Sequence, residues 1–171
     1  MKSTLINLRA VEPGDAPLMY AWENERSNWY ASGTTAPLSL FIIEEFTKPE
    51  NQDVHTTKQL RLIVEQIETA TTIGYVDLFD VDFINRKAGV GILIGNSDYR
   101  NKGFAQQAIN LLKHYCKTVL HLQQLYCNVH ERNFNSIKLF EKTDFVKSGL
   151  LKKWSLKDDL FEDVLVMQCF L

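Results

Sequence analysis

Residues 90–116 read VGILIGNSDYRNKGFAQQAINLLKHYC: an apolar run, a turn of small and polar residues, then a long amphipathic segment. Val90 to Ile94 has the composition of a strand. Beyond it, Ala105, Ala108, Ile109, Leu112 and Cys116 fall on one stripe of a helix predicted over Phe104–Leu120. Arg100, Lys102 and Gly103 therefore stand where a helix begins. Its first N–H groups lack backbone partners, its dipole points its positive end outward and two cations are close, so the junction suits a pyrophosphate. The same order also serves an ordinary strand-to-helix connection that needs a glycine for its turn.

Upstream, Leu5–Val11 alternates like a half-buried strand, and Glu12-Pro13-Gly14-Asp15 breaks it. Asp15 can cap a helix through Ala16, Leu18, Met19, Ala21 and Trp22. Asn24–Pro37 is expected to be a loop whose Trp29 and Tyr30 either line a pocket or pack over the core. Leu38–Phe46 has helical spacing, Pro49–Thr56 is a polar break, and Gln59–Glu65 and Ile73–Val81 read as strands joined in an antiparallel hairpin through Thr69–Thr72. Alternation puts Asp77 on the face opposite Leu78, directed into a cleft or toward solvent. Asp82–Lys87 reads as a loop, Ala88–Ile94 and Leu125–Val129 as strands, Asn135–Lys142 as a short helix, and Leu150–Leu156 and Val164–Phe170 as a last strand pair joined by Lys157–Asp163. The order β-α-α-β-β-β-α-β-α-β-β implies a mixed sheet with helices over it.

The 171 residues suffice for one domain, and 45% hydrophobic with 23% charged residues is a soluble, globular composition. A formal net charge of −2 excludes a general nucleic-acid binder. Cys116, Cys127 and Cys169 are odd in number and too dispersed for a disulfide framework or a structural metal site. No apolar run approaches the ~20 residues that span a bilayer. With no cleavable leader pattern at the N-terminus, a reducing, cytoplasmic setting is expected.

Arg100 to Ala105, RNKGFA, resembles the acetyl-CoA pyrophosphate loop of the GNAT N-acetyltransferase superfamily, Gln/Arg-x-x-Gly-x-Gly/Ala. About thirty residues on, Asn133 to Phe145 resembles the second signature, Asn-x-x-Ser/Ala-x-x-x-Tyr/Phe-x-x-x-Gly-Phe. Leu8 to Asp15, and Gly74 to Asp77 followed by Asn85 to Ala88, are similar to the ribosomal-protein N-terminal and spermidine N-acetyltransferase-like branches. The resemblance implies one α/β (α+β) domain over residues 1–171, with a mostly antiparallel sheet and a splayed strand pair that holds CoA. Pantetheine would lie along Ile92, Leu93 and Ile94 opposite Leu125–Val129. The pyrophosphate would sit on Arg100, Asn101, Lys102, Gly103, Phe104 and Ala105. Asn133 would bond the pantetheine, or act only as a helix cap, with Ser136 and Phe140 at the thiol end.

The activity so implied is direct transfer of acetyl from acetyl-CoA to a primary amine: a polyamine, a protein or peptide N-terminus, or an amino sugar. The sequence departs from the pattern where proton carriers are usual. Phe140 stands where many members have Tyr, Gly89 where many have Glu, and Asp144 replaces a Gly. The alternative is a non-catalytic acyl-CoA-binding module. Substitute catalytic groups are Ser136 or Tyr126 near the thiol, and Asp77, Asn128 or His130 near the acceptor. Tyr126 and Asn128 share one strand face and Cys127 and Val129 the other, with the Asn128 side favoured for the cleft. Cys127 has no visible His partner for a nucleophilic role. The segment Asn28–Pro37 lacks the carboxylates with which spermidine enzymes line a regulatory polyamine site. The last strand, apolar on both faces, is either central or pairs with a second copy in a homodimer.

Overall fold

A computed structural model describes residues 1–157 and 159–171, and for residues 30 and 31 the backbone alone. The expected pocket role of the Tyr30 side chain, and Asp158 within the last connection, lie outside the described residues. The strands are β1 (Ile6–Ala10), β2 (Leu60–Gln66), β3 (Thr71–Asp82), β4 (Lys87–Ile94), β5 (Gln124–His130), β6 (Val146–Lys157) and β7 (Leu160–Phe170). The helices are α1 (Ala16–Glu23), α2 (Arg26–Ser32), α3 (Leu40–Phe46), α4 (Val54–Thr57), α5 (Phe104–Thr118) and α6 (Phe134–Glu141).

One sheet runs β1-β2-β3-β4-β5-β7-β6, antiparallel throughout except between β4 and β5. The larger core packs α5 and α6 against one face through Ala108, Ile109, Leu112, Ile137 and Phe140. A smaller core packs α1 and α3 against the other through Met19, Trp22, Ile43, Ile63 and Tyr75. This layering follows from period 2 in the strands and the 3.6-residue stripe of α5. The last strand is central, between β5 and β6, and β6 forms the edge.

Three local expectations are corrected. The predicted loop 24–37 contains α2, which has no apolar period but is capped by the Glu25 carboxylate on the Ser27 N–H and stopped at left-handed Gly33. The polar break contains the single turn α4, capped by Asp53 on the His55 N–H. The last two strands also extend further toward each other than alternation indicated, to Lys157 and from Leu160, because apolar side chains here remain exposed.

Pairing between β4 and β5 covers only Lys87–Gly89 against Gln124–Tyr126. Beyond that, β4 follows β3 to Ile94 and β5 follows β7 to His130, so the two strands diverge. Gly89 sits at the vertex. A Cβ there would lie 2.2 Å from the Phe79 ring, so the missing side chain is what lets Phe79 cross the strand and meet Tyr126 edge-on, centroids 5.8 Å apart.

The entry to α1 is tied to β1 and β2 by Arg9, whose guanidinium donates to both Asp15 oxygens at 2.7 and 2.8 Å and to Glu65 at 2.9 Å. Burial pushes the Asp15 carboxyl up, but Arg9 and the Glu12 N–H outweigh it and hold it below the usual carboxylate range. A carboxyl more acidic folded than unfolded contributes fully above about pH 4, and the contribution is lost as pH falls through the folded value. Asp15→Asn should therefore cost about 2 kcal/mol near neutrality. Urea melts should show the gap from the parent closing on acidification; a gap independent of pH contradicts this role.

Candidate functional site

The divergence of β4 and β5 leaves the β5-facing edge of residues 90–94 without a strand partner. On an unpaired edge, alternate N–H and C=O groups point into the gap and accept an extended chain as an added strand. Two cavities open from it, and Asn28, Ile92 and Leu93 line both.

The first, about 550 Å³, runs from Leu93 and Ile94 to the N-terminus of α5. That 15-residue helix begins at Gly103 with no side-chain cap; α1 has none either, whereas α2, α3, α4 and α6 are each capped by a side chain. Its first N–H groups are thus left to a ligand. Asn101 at φ 61° and Gly103 at φ 85° shape the turn that presents them. Gly103 lines the groove, and a Cβ on it would meet nothing within 4 Å. The donors, the absent cap and the open glycine fit a pyrophosphate.

Ile92, Leu93, Ile94, Arg100, Asn101, Gly103, Phe104, Ala105, Asn133 and Ser136 all line this groove. Arg100 donates to the carbonyls of Ile94 and Gly95 at 3.0 and 3.4 Å, which ties the loop to the end of β4. Asn133 Oδ1 caps α6 on the Ser136 N–H at 3.1 Å while its residue faces the groove, so the two expected roles do not compete. Two of the expected residues do not line the groove. Lys102 reaches over the Tyr99 ring, Nζ 5.9 Å from its centroid, and its side chain is not on the groove wall. Phe140 is absent from the groove wall: it is 4% exposed and lies edge-on to Phe145, because that side of α6 seals the larger core. Phe140→Leu should cost about 1 kcal/mol and leave turnover of the folded protein unchanged; a selective loss of kcat would contradict this placement. The sequence reading missed Lys138 and Lys142, also on the groove. Their i, i+4 spacing opposite Ile137 was the available signal.

The second cavity, about 530 Å³, lies across the divergence. Of the catalytic candidates, Asp77 and Asn128 line it and Ser136 lines the other, so the three do not converge. Asn128 and His130 face it while Cys127 and Val129 are buried in the core. Tyr126 shares the Asn128 face, but its hydroxyl donates to Asp80 at 3.2 Å. Burial and the Lys157 charge hold His130 below its ordinary value. Burial pushes the Cys127 thiol up to about 12, so it carries no thiolate near neutrality. Trp29 is half-buried and donates to the Glu23 carbonyl at 2.8 Å; its neighbours Asn28 and Ser32 line the cavity instead.

The floor of this cavity is a charged cluster. Arg61 forks both Asp77 oxygens at 2.8 Å and donates to Glu23 Oε1 at 2.7 Å, and the Tyr75 hydroxyl donates to the same Oε1 at 3.0 Å. The guanidinium lies 3.7 Å from the centroid of the Tyr75 ring. Burial pushes the Asp77 carboxyl up against the pull of Arg61. Glu23, Arg61 and Tyr75 come from α1, β2 and β3, and no local spacing in the sequence joins them. Among the described residues, no group of three His, Cys, Asp or Glu is placed to hold a metal, and no helix is long and apolar enough to cross a membrane.

The acetyltransferase (GNAT) domain family matches residues 6–146. The uncharacterized N-acetyltransferase p20 of Bacillus licheniformis is 34% identical over 87 residues, 51% of this chain and 48% of p20, so the match spans about half of that protein. The SPbeta prophage-derived uncharacterized N-acetyltransferase YokL of Bacillus subtilis (strain 168) is 25% identical over 152 residues, 86% of this chain and 80% of YokL. Among solved structures, spermidine N-acetyltransferase from Vibrio cholerae in complex with CoA and spermine superposes with a TM-score of 0.87 at 28% identity, over 98% of this chain and 96% of that one. A dodecameric structure of the Vibrio cholerae enzyme gives 0.80 at 29% identity, over 98% and 95%.

Proposed function

The chain belongs to the GNAT acetyltransferase family, and from that premise we propose that residues 1–171 work as one domain that transfers acetyl from acetyl-CoA directly to a primary amine. The observation that carries this is the β4/β5 divergence, which joins an anion-binding groove to a second, separately lined cavity at Ile92 and Leu93. Acetyl-CoA, when bound, supplies the thioester as acyl donor. The uncapped N–H groups of α5 hold its pyrophosphate, and the open edge of β4 receives the amides of its arm. The N–H groups of that edge near Leu93 donate to the acyl oxygen as charge develops there. Asn133 and Ser136 line the arm, and Lys138 and Lys142 add positive charge along the groove.

The acceptor enters from the other cavity, where the formal charges of Glu23, Asp77 and Arg61 leave an excess of negative charge suited to an ammonium group. Spermidine is the first probe, since the similar Vibrio cholerae structures are of a spermidine enzyme. Thiol release from acetyl-CoA should be acceptor-dependent on a panel of spermidine, glucosamine and a peptide with a free N-terminus. Tight acetyl-CoA binding with no such release anywhere on the panel overturns the enzyme reading. Three buried, free cysteines support a reducing, cytoplasmic setting.

A homodimer through the β6 edge is part of the same reading. Val146, Trp154 and Leu156 on that strand are 58%, 65% and 58% exposed, and the dodecameric relative shows that a similar chain assembles. Light scattering at micromolar concentration should give at least twice the chain mass; a monomer rejects it.

A further inference from the structure

Among the described residues of the charged cluster, the carboxylate with an oxygen that accepts no hydrogen bond is not the one that strand alternation singles out. Each oxygen of Asp77 accepts one bond from Arg61, at 2.8 Å, in a bidentate fork that fixes the carboxylate. Glu23 is different: its Oε1 accepts from Arg61 and Tyr75, and among the described residues its Oε2 accepts no hydrogen bond. The side chain is 10% exposed and lines the acceptor cavity. A nearly buried carboxylate that lines a polar cavity, with one oxygen pinned and the other accepting no bond, is a held proton acceptor. Neither Asn128 nor Ser32, which also line that cavity, offers a charge.

Resting on the acetyltransfer reading, we propose that Glu23 is the catalytic carboxylate of this chain: its Oε2 receives the acceptor as an ammonium and takes a proton from it. Of the three protons on the ammonium nitrogen, the first goes to Glu23. The freed lone pair forms the C–N bond as the C–S bond breaks, the second proton goes to the departing sulfur, and the third remains on the amide. Glu23 then returns its proton to solvent, so one proton is released per acetyl group moved. Because the sulfur takes its proton from the reacting nitrogen, no separate acid is required at the Phe140 position.

Two variants distinguish this chemistry from a structural role. Glu23→Gln keeps length and an acceptor for Arg61 and Tyr75 but loses the charge, whereas Glu23→Asp keeps the charge and loses reach. With spermidine as acceptor, Gln should lower kcat/KM by about 100-fold near neutrality and leave acetyl-CoA affinity unchanged. Its deficit should shrink as pH rises and the free amine supplies its own lone pair. Asp should fall between Gln and the parent. A structural role predicts the reverse order, with Gln the less damaging, and that order, or an unchanged pH profile in Gln, overturns the assignment. Should Gln fail to fold, an Asp variant with no loss of kcat at altered reach overturns it equally. A parent protein that binds acetyl-CoA but turns over no amine overturns the acetyltransfer reading itself, and this assignment with it.

Discussion

Gly103→Trp is expected to abolish acetyl-CoA binding while leaving the fold in place. Gly103 has φ 85°, and an L-residue there costs about 1–2 kcal/mol of local strain. That alone would weaken the turn without unfolding the chain. The larger effect is steric: Gly103 lines the groove and a Cβ there touches no protein atom within 4 Å, so an indole is free to occupy the space beside the N–H groups. An indole there covers the N–H groups that α5 leaves uncapped and takes the space of the phosphates. Calorimetry with acetyl-CoA should show affinity reduced by at least about 1000-fold, equivalent to roughly 4 kcal/mol. Melting should fall only by the strain at the turn. Gly103→Ala should lie between, since a methyl group adds strain but little bulk. Unchanged affinity in the Trp variant would mean that the pyrophosphate lies elsewhere.

The groove proposed to hold the cofactor was legible in the sequence for a physical reason. Holding a pyrophosphate on backbone N–H groups takes a strand end, a turn and a helix start, which are contiguous in a chain. Residues 90–105 therefore carry most of it as one pattern, and the capping Asn133 opens a second. What the pattern leaves open here is side-chain direction. Lys102 and Phe140 stand at expected positions, but one side chain goes to Tyr99 and the other into the core. Position in a motif specifies the backbone more closely than the rotamer.

The acceptor half was not legible. Asp77 drew attention because it is an acid on an alternating strand, and it does line the cavity. What alternation cannot supply is the partner. Arg61 reaches Asp77 because β2 and β3 pair with Arg61 opposite Asp77, and Glu23 joins them from the end of α1, thirty-eight residues away in sequence. The helix α2, hidden in an aperiodic stretch, also contributes a wall through Asn28 and Ser32. Gly89 likewise looked like a lost base, yet it lets Phe79 cover the vertex of the divergent strands.

Arg61 is the residue on which the acceptor half depends most, and Arg61→Met should destabilise the protein by about 4 kcal/mol. Methionine replaces the stem and can still pack on Tyr75, so little of the loss comes from volume. It leaves two carboxylates, Glu23 and Asp77, with side chains only 10% and 22% exposed and without the cation that bonds both. An ion group of this kind adds little over an apolar replacement, but removing one member strands the others. Two consequences separate this from simple loss of packing. Acidification should narrow the deficit, because each carboxyl that is protonated removes one of the two uncompensated charges. Adding Glu23→Gln and Asp77→Asn to Arg61→Met should restore part of the lost stability, since the neutral set carries no buried charge. Thermal and urea unfolding of the single and triple variants at two pH values measures both. A triple variant less stable than Arg61→Met, with a deficit that does not change with pH, would show that Arg61 acts by packing and that the charges at the cavity floor are not coupled.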